Sequence, residues 1–262
     1  MLIVFFFTMI VSNFFYLKHF YLNNPIIIFL LSLIMAGLMT FFFLILCFII
    51  MSFLPPNHPF KGFVIRSLSH FIKVFLRIKV IVKNKHLLPL KENIVIYANH
   101  KSYTDAFLIA ISLPRTLTFA PKDKFCFPFL TKWLLNLAFY SSDCMVVSRE
   151  SVRKTAKNLS KAIPKIKSGL ALVVFPEGGM TDVDNERVTP LLGGAFKIAL
   201  KSQASIVPLT IKGASKIKNY FWWQKKRVEI ILHPVLKYDD YRCDTIKQIA
   251  LNVENKINSG LE

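Results

Sequence analysis

The sequence predicts an α/β domain with a mixed, largely parallel sheet flanked by helices, preceded by an N-terminal membrane-anchoring helical pair. Three observations carry this. From residue 80 onward, short runs rich in Val, Ile and Leu alternate with helical stretches, the pattern of strands joined by crossover helices. Residues 1–54 hold a single charged side chain, Lys18, whereas the other 33 Lys and Arg and all 15 Asp and Glu lie beyond Leu54. Pro55-Pro56 separates the two regions and stops any helix running into it. The expected division is therefore residues 1–54 as anchor and residues 55–262 as a cytoplasmic α/β domain.

The elements follow in order. Residues 2–17 form a first apolar helix ending at Lys18-His19, and Tyr21-Leu22-Asn23-Asn24-Pro25 makes a turn. Residues 26–54 carry no charge. As a helix they would extend about 43 Å, enough to cross a hydrocarbon core of about 30 Å with tilt. The basic excess after Pro55 places that part on the cytoplasmic side, so the chain reads as an integral or monotopic membrane protein. In residues 60–78, Phe63, Val64, Leu68, Phe71, Ile72 and Phe75 alternate at helical spacing with Lys61, Arg66, Lys73 and Arg77, an amphipathic helix suited to a bilayer surface or a sheet face. Strands are expected at residues 80–82, 93–97, 117–120, 144–147, 171–175, 206–211 and 228–232. Helices are expected at residues 105–113, 129–137, 151–167, 194–203 and 245–258.

Composition narrows the function. A domain this basic seeks anions, and beside an apolar anchor the anions are membrane headgroups. No zinc-finger spacing and no basic helix leading into heptads speaks for nucleic acid. Cys47, Cys126, Cys144 and Cys243 lack the pairing of a disulfide framework or a zinc site. No metal site and no cofactor is expected. The stretch 216–227 interleaves Lys and Arg with Tyr, Phe and Trp, a composition suited to the membrane interface. His19, His58, His70, His86 and His233 lack partners at telling spacing and read as structural.

Two segments carry the chemistry. Asn99-His100-Lys101-Ser102-Tyr103-Thr104-Asp105 follows a strand and precedes an apolar helix, and ligands of open α/β sheets bind beyond the carboxyl ends of strands. His and Asp five apart do not share a helix face. They meet if His100 lies in the loop and Asp105 in the first helical turn. Asp105 then fixes one ring nitrogen and leaves the other to take a proton. By itself this pair is also compatible with a solvated loop. Phe175-Pro176-Glu177-Gly178-Gly179 again puts a polar, Gly-containing turn at a strand's carboxyl end. There glycine admits a close approach of ligand to backbone, and Glu177 is a candidate for gripping hydroxyls.

With these residues the chain resembles the glycerolipid acyltransferase family, whose best-known members make phosphatidic acid from lysophosphatidic acid. The resemblance covers roughly residues 60–235. Asn99, His100, Ser102 and Asp105 match its first block. Lys122, Pro128-Phe129 and Arg149 look like its second, residues 175–178 match its third, and Ile206-Val207-Pro208-Leu209 looks like its fourth. It implies His100 and Asp105 as the catalytic pair, with Asn99, Ser102, Lys122, Arg149, Glu177 and Gly178 binding substrate. It implies transfer of a fatty-acyl group from acyl-CoA or acyl-carrier protein to a lysophospholipid hydroxyl, that of 1-acylglycerol-3-phosphate first. The alternatives are a different lysolipid acceptor and a non-catalytic membrane lipid-binding protein. Two departures stand out. Gly179-Met180 replaces a family Thr-Arg whose Arg helps hold the acceptor's phosphate, a loss that Arg187, Lys197 or Lys122 would have to offset. The Gly expected shortly before Arg149 is absent from Ser142-Asp143-Cys144-Met145.

Overall fold

The computed structural model describes residues 1–20, 24–121, 129–147, 152–180, 186–188, 191–221 and 223–262. Helix α1 spans Leu2–Phe20 and α2 spans Pro25–Ser52. Asn24 starts α2 as its side-chain oxygen accepts the Ile26 and Ile27 N–H groups, with Pro25 at the first helical position. Phe5 stacks on Phe43 at 4.5 Å, so the two helices pair antiparallel. Both are long and apolar enough to cross a membrane: about 28 Å for the 19 residues of α1 and about 42 Å for the 28 of α2. Large apolar side chains such as Val4, Phe7, Ile34 and Phe42 are exposed on their outer faces.

Helix α3 (Pro59–Phe75) follows, started by His58, whose Nδ1 accepts the Phe60 N–H at 3.2 Å. Its Val64 joins Cys47, Phe48 and Met51 of α2 in a small buried cluster, against which Leu134 and Leu137 of α5 (Phe129–Ser141) pack. Apolar contacts therefore join α2 to α3 and α5 across residue 54.

Six strands build the sheet: β1 (Ile78–Lys83), β2 (Ile94–Ala98), β3 (Leu117–Phe119), β4 (Ala171–Val174), β5 (Ser205–Lys212) and β6 (Lys226–Leu232). Their order is β1-β6-β5-β2-β4-β3. Every pair is parallel except β5 with β6, so the sheet is mixed and largely parallel, as the sequence predicts. All five residues of β2 and all four of β4 are buried, because helices cover both faces. On one face Ile94, Ile96 and Ala98 meet Leu108 and Ile109 of α4 (Asp105–Ser112). On the other, Val95 and Tyr97 share a core with α6 (Val152–Lys167), α7 (Lys197–Ser202) and α9 (Ile246–Ser259). A short helix α8 (Tyr238–Tyr241), absent from the sequence reading, places Tyr241 in this second core.

The expected strand at residues 144–147 is a correction. The segment lies beside the end of β3, with Met145 N–H donating to Phe119 and Val147 N–H to Pro121, but among the described residues it is reduced to a single β-bridge at Val147 and no strand forms. The run is only four residues long, and Asp143 enters it with φ 57°, turning the chain just before it.

Candidate active site

Strand β2 delivers the site. Immediately after it, Asn99 is fully buried, its Nδ2 donating to the Ile211 carbonyl at 2.8 Å and its Oδ1 accepting the Ile211 N–H at 2.7 Å. This clamps the start of the loop onto β5. Expected beside substrate, Asn99 instead has no exposed surface, since both halves of its amide satisfy backbone groups that would otherwise be orphaned.

His100 follows. Its Nδ1 lies 3.0 Å from Asp105 Oδ2, and its Nε2 has no hydrogen-bond partner among the described residues. The ring stacks on Phe175 at 4.1 Å, and a fifth of the side chain is exposed. Asp105 is fully buried at the first position of α4, where a carboxylate is favoured by the helix dipole. The same Oδ2 also accepts the Lys101 and Ser102 N–H groups, each at 2.8 Å. One oxygen thus organises the whole loop, while Oδ1 has no partner among the described residues. Ser102 shapes the loop further: its hydroxyl meets Thr104 Oγ1 at 2.9 Å and accepts the Thr104 N–H.

The second motif is tied to the first. Glu177 Oε1 accepts the His100 N–H at 2.8 Å and Oε2 accepts from Lys101 Nζ at 2.7 Å. Both side chains of this ion pair are only 2% exposed. The carboxylate expected to grip a hydroxyl is therefore occupied in holding the His100 loop. Gly178 has φ +72°, and a Cβ there would meet Leu192 Cδ1 at 2.6 Å. The turn is accordingly closed to other residues, while Gly179 and Met180 are half-buried.

Lys122, Pro128 and Arg149 lie outside the described residues. Of the other basic candidates, Arg187 lies 3.6 Å from Glu262 at the surface, and Lys197 is exposed at the start of α7. Asp143 supplies the bend expected of a glycine, since Asp is among the few residues that tolerate the left-handed region. It is held by Lys61 at 2.6 Å and Lys165 at 2.7 Å. Burial pushes the neighbouring Cys144 thiol up to about 11.

Glu186 was missed by sequence reading. Its carboxylate accepts from Gly213 N–H, Ser215 N–H and Ser215 Oγ, and its carbonyl receives Asn99 Nδ2 at 3.4 Å. Its partners come 27 and 29 positions later, a separation that leaves no local signal. Among the described residues, no three His, Cys, Asp or Glu cluster as metal ligands would.

Comparisons with known proteins bear on the family and the fold. Residues 79–212 match the family model described as Acyltransferase. A probable 1-acyl-sn-glycerol-3-phosphate acyltransferase of Mycoplasma pneumoniae is 33% identical over 61% of this chain and 58% of its own length. The 1-acyl-sn-glycerol-3-phosphate acyltransferase of Borreliella burgdorferi is 29% identical over 66% of this chain and 68% of its own. The crystal structure of the 1-acyl-sn-glycerophosphate (LPA) acyltransferase from Thermotoga maritima shares the fold, with a TM-score of 0.63 over 99% of this chain and 96% of that one, at 20% identity.

Proposed function

The chain belongs to the acyltransferase family, and we propose that it moves a fatty-acyl group from an acyl thioester to the free hydroxyl of 1-acylglycerol-3-phosphate, giving phosphatidic acid. The donor is acyl-CoA or acyl-carrier protein, a co-substrate in a reaction that uses no cofactor. The names of the relatives support the acceptor. One observation carries the chemistry: His100 Nδ1 on the buried Asp105 carboxylate, with Nε2 left over.

In this reading Asp105 fixes the ring with its proton on Nδ1, so Nε2 is the basic nitrogen. Nε2 takes the proton of the acceptor hydroxyl as that oxygen attacks the thioester carbonyl. A tetrahedral oxyanion forms and collapses, the C–S bond breaks, and the proton passes from Nε2 to the departing thiolate. Asp105 offsets the positive charge that the ring carries in between. No acyl-enzyme forms. Lys122 and Arg149 hold the acceptor's phosphate, Gly178 lines the acceptor site, and Ser102 shapes the loop between His100 and Asp105. Asn99 and Glu177 act one step back, by positioning the His100 loop. The α1–α2 pair sits in the bilayer and keeps the domain, residues 55–262, on its cytoplasmic side within reach of lipid acceptors.

Met180 supports a second reading, a lysolipid acceptor without a phosphomonoester, because the resemblance leads one to expect an Arg there. Purified full chain in detergent, given labelled acyl-CoA or acyl-carrier protein and a panel of lysolipids, decides between them. Transfer to 1-acylglycerol-3-phosphate is expected, falling at least about a hundredfold in His100→Ala. Undiminished transfer in that variant overturns the mechanism. Preference for a lysolipid lacking the phosphomonoester selects the second reading, and no transfer to any acceptor favours a lipid-binding protein.

A further inference from the structure

A second basic site lies away from His100. At the edge of the sheet an open cleft of about 490 Å³ is lined by Lys73, Arg77, Lys79, Lys225, Lys226 and Arg227 around Ile78, with no acidic residue among them. It is a built feature. The Lys226 ammonium is buried and donates to the carbonyls of Leu76, Phe221 and Gln224, and Arg77 Nη1 donates to the Trp223 carbonyl at 2.7 Å. These bonds fasten the end of α3 to the loop before β6. Arg227 is paired with Glu229, whereas Lys73, Lys79 and Lys225 have no acidic partner among the described residues.

Its position is as telling as its charge. Phe71 of α3 meets Phe6 of α1 edge-on at 5.8 Å, so this part of α3 touches the apolar anchor. Arg77 comes six residues later, just past the end of α3 at Phe75, so the cleft lies near that contact in the chain. Large apolar side chains rim the cleft: Phe75, Phe221 and Trp223 are 62%, 63% and 50% exposed, and the last two stack at 4.8 Å. Exposed aromatic side chains beside lysines with no acidic partner suit a lipid interface.

The sheet adds a consequence. β1 and β6 start side by side, β6 is antiparallel to β5, and β5 is parallel to β2. The cleft therefore opens at the end of the sheet where β2 finishes and His100 begins.

We propose that this cleft binds the headgroup phosphate of an anionic membrane lipid and so sets the active-site end of the sheet against the bilayer. The proposal rests on the membrane reading of α1 and α2 but not on acyl transfer, and its test reads no turnover. The full chain carries three tryptophans. With Trp133→Phe and Trp222→Phe, Trp223 alone reports. This protein is floated on phosphatidylcholine vesicles in which a minor share of lipid is brominated phosphatidylglycerol or, in parallel, brominated phosphatidylcholine.

Quenching of Trp223 should favour the phosphatidylglycerol by at least about fivefold, the factor expected for one Lys or Arg at an anionic surface. Lys73→Gln/Lys79→Gln/Lys225→Gln should bring the ratio to about one. Lys161→Gln/Lys167→Gln/Lys247→Gln, which removes equal charge from α6 and α9, should leave the preference in place. Equal quenching by the two lipids, or a preference unchanged in the first triple variant, overturns the proposal. Loss of the preference in inorganic phosphate makes the cleft a site for soluble phosphate instead. Flotation without quenching sinks this proposal alone, whereas failure to float sinks the membrane reading beneath it.

Discussion

Replacing Lys101 with Met should destabilise the chain and slow it together, because of what Lys101 neutralises. Its ammonium and the Glu177 carboxylate are 2.7 Å apart and each 2% exposed. Removing one partner leaves a buried charge with no counterion, a change that costs about 3–5 kcal/mol. At about 2–4 °C per kcal/mol for a domain of this size, the thermal midpoint should fall by about 6–20 °C. Glu177→Gln should also destabilise the chain, since it removes the charged oxygen that accepts from the Lys101 ammonium. In Lys101→Met/Glu177→Gln both charges are gone, and the Gln oxygen still accepts the His100 N–H that Glu177 Oε1 accepts now. The double variant should therefore be more stable than either single one, and its kcat should recover part of what each single variant loses. The assay is thermal unfolding of the detergent-solubilised chain for all four members of the cycle, with acyl transfer measured in parallel. Strictly additive losses would refute the reasoning, because they would mean that the two groups do not depend on each other.

Three further outcomes follow from the same geometry. Gly178→Ala should cost about 1–2 kcal/mol from the left-handed backbone alone, beyond the clash with Leu192; adding Leu192→Ala should restore only the part due to the clash, read as thermal midpoints. Asn99→Leu leaves the Ile211 N–H and carbonyl without their side-chain partner and should cost about 1–3 kcal/mol for each group left unsatisfied; a midpoint unchanged from the parent would show that the clamp is dispensable. Burial, with Lys256 nearby, holds the His233 ring below its ordinary value. The neutral ring therefore contributes stability that is complete above the unfolded value of about 6.5 and is lost as pH falls through the folded one. The midpoint should drop on acidification from about pH 6.5 toward pH 5, and drop less in His233→Gln; equal slopes would remove His233 from the acid response.

Much of this protein is readable from local pattern. The apolar runs before Leu54 and the Asn24-Pro25 start give both N-terminal helices, and β-rich runs mark all six strands to within a few residues. His100 and Asp105 were legible because five positions suffice to carry a side chain from a strand's end into the first turn of the next helix. The misread strand has a long-range cause. Residues 144–147 look like a strand in composition, but Asp143 and its two lysines, Lys61 and Lys165, decide the path of the chain there. Those lysines lie 82 and 22 positions away.

The sequence by itself therefore determined the fold class, the two apolar N-terminal helices and the residue types of the candidate site, all of which depend on periodicity and spacing within a few turns. Only the tertiary structure decided what several of those residues touch. Asn99 and Glu177 read from sequence as contacts for substrate, yet Asn99 clamps β5, and Glu177 holds the His100 N–H and the Lys101 ammonium. It also gathered Lys73, Arg77 and Lys225 into one cleft, although about 150 positions separate them in the chain. Their proximity comes from the parallel pairing of β1 with β6, and a long-range register of that kind is set by the packing of the whole sheet.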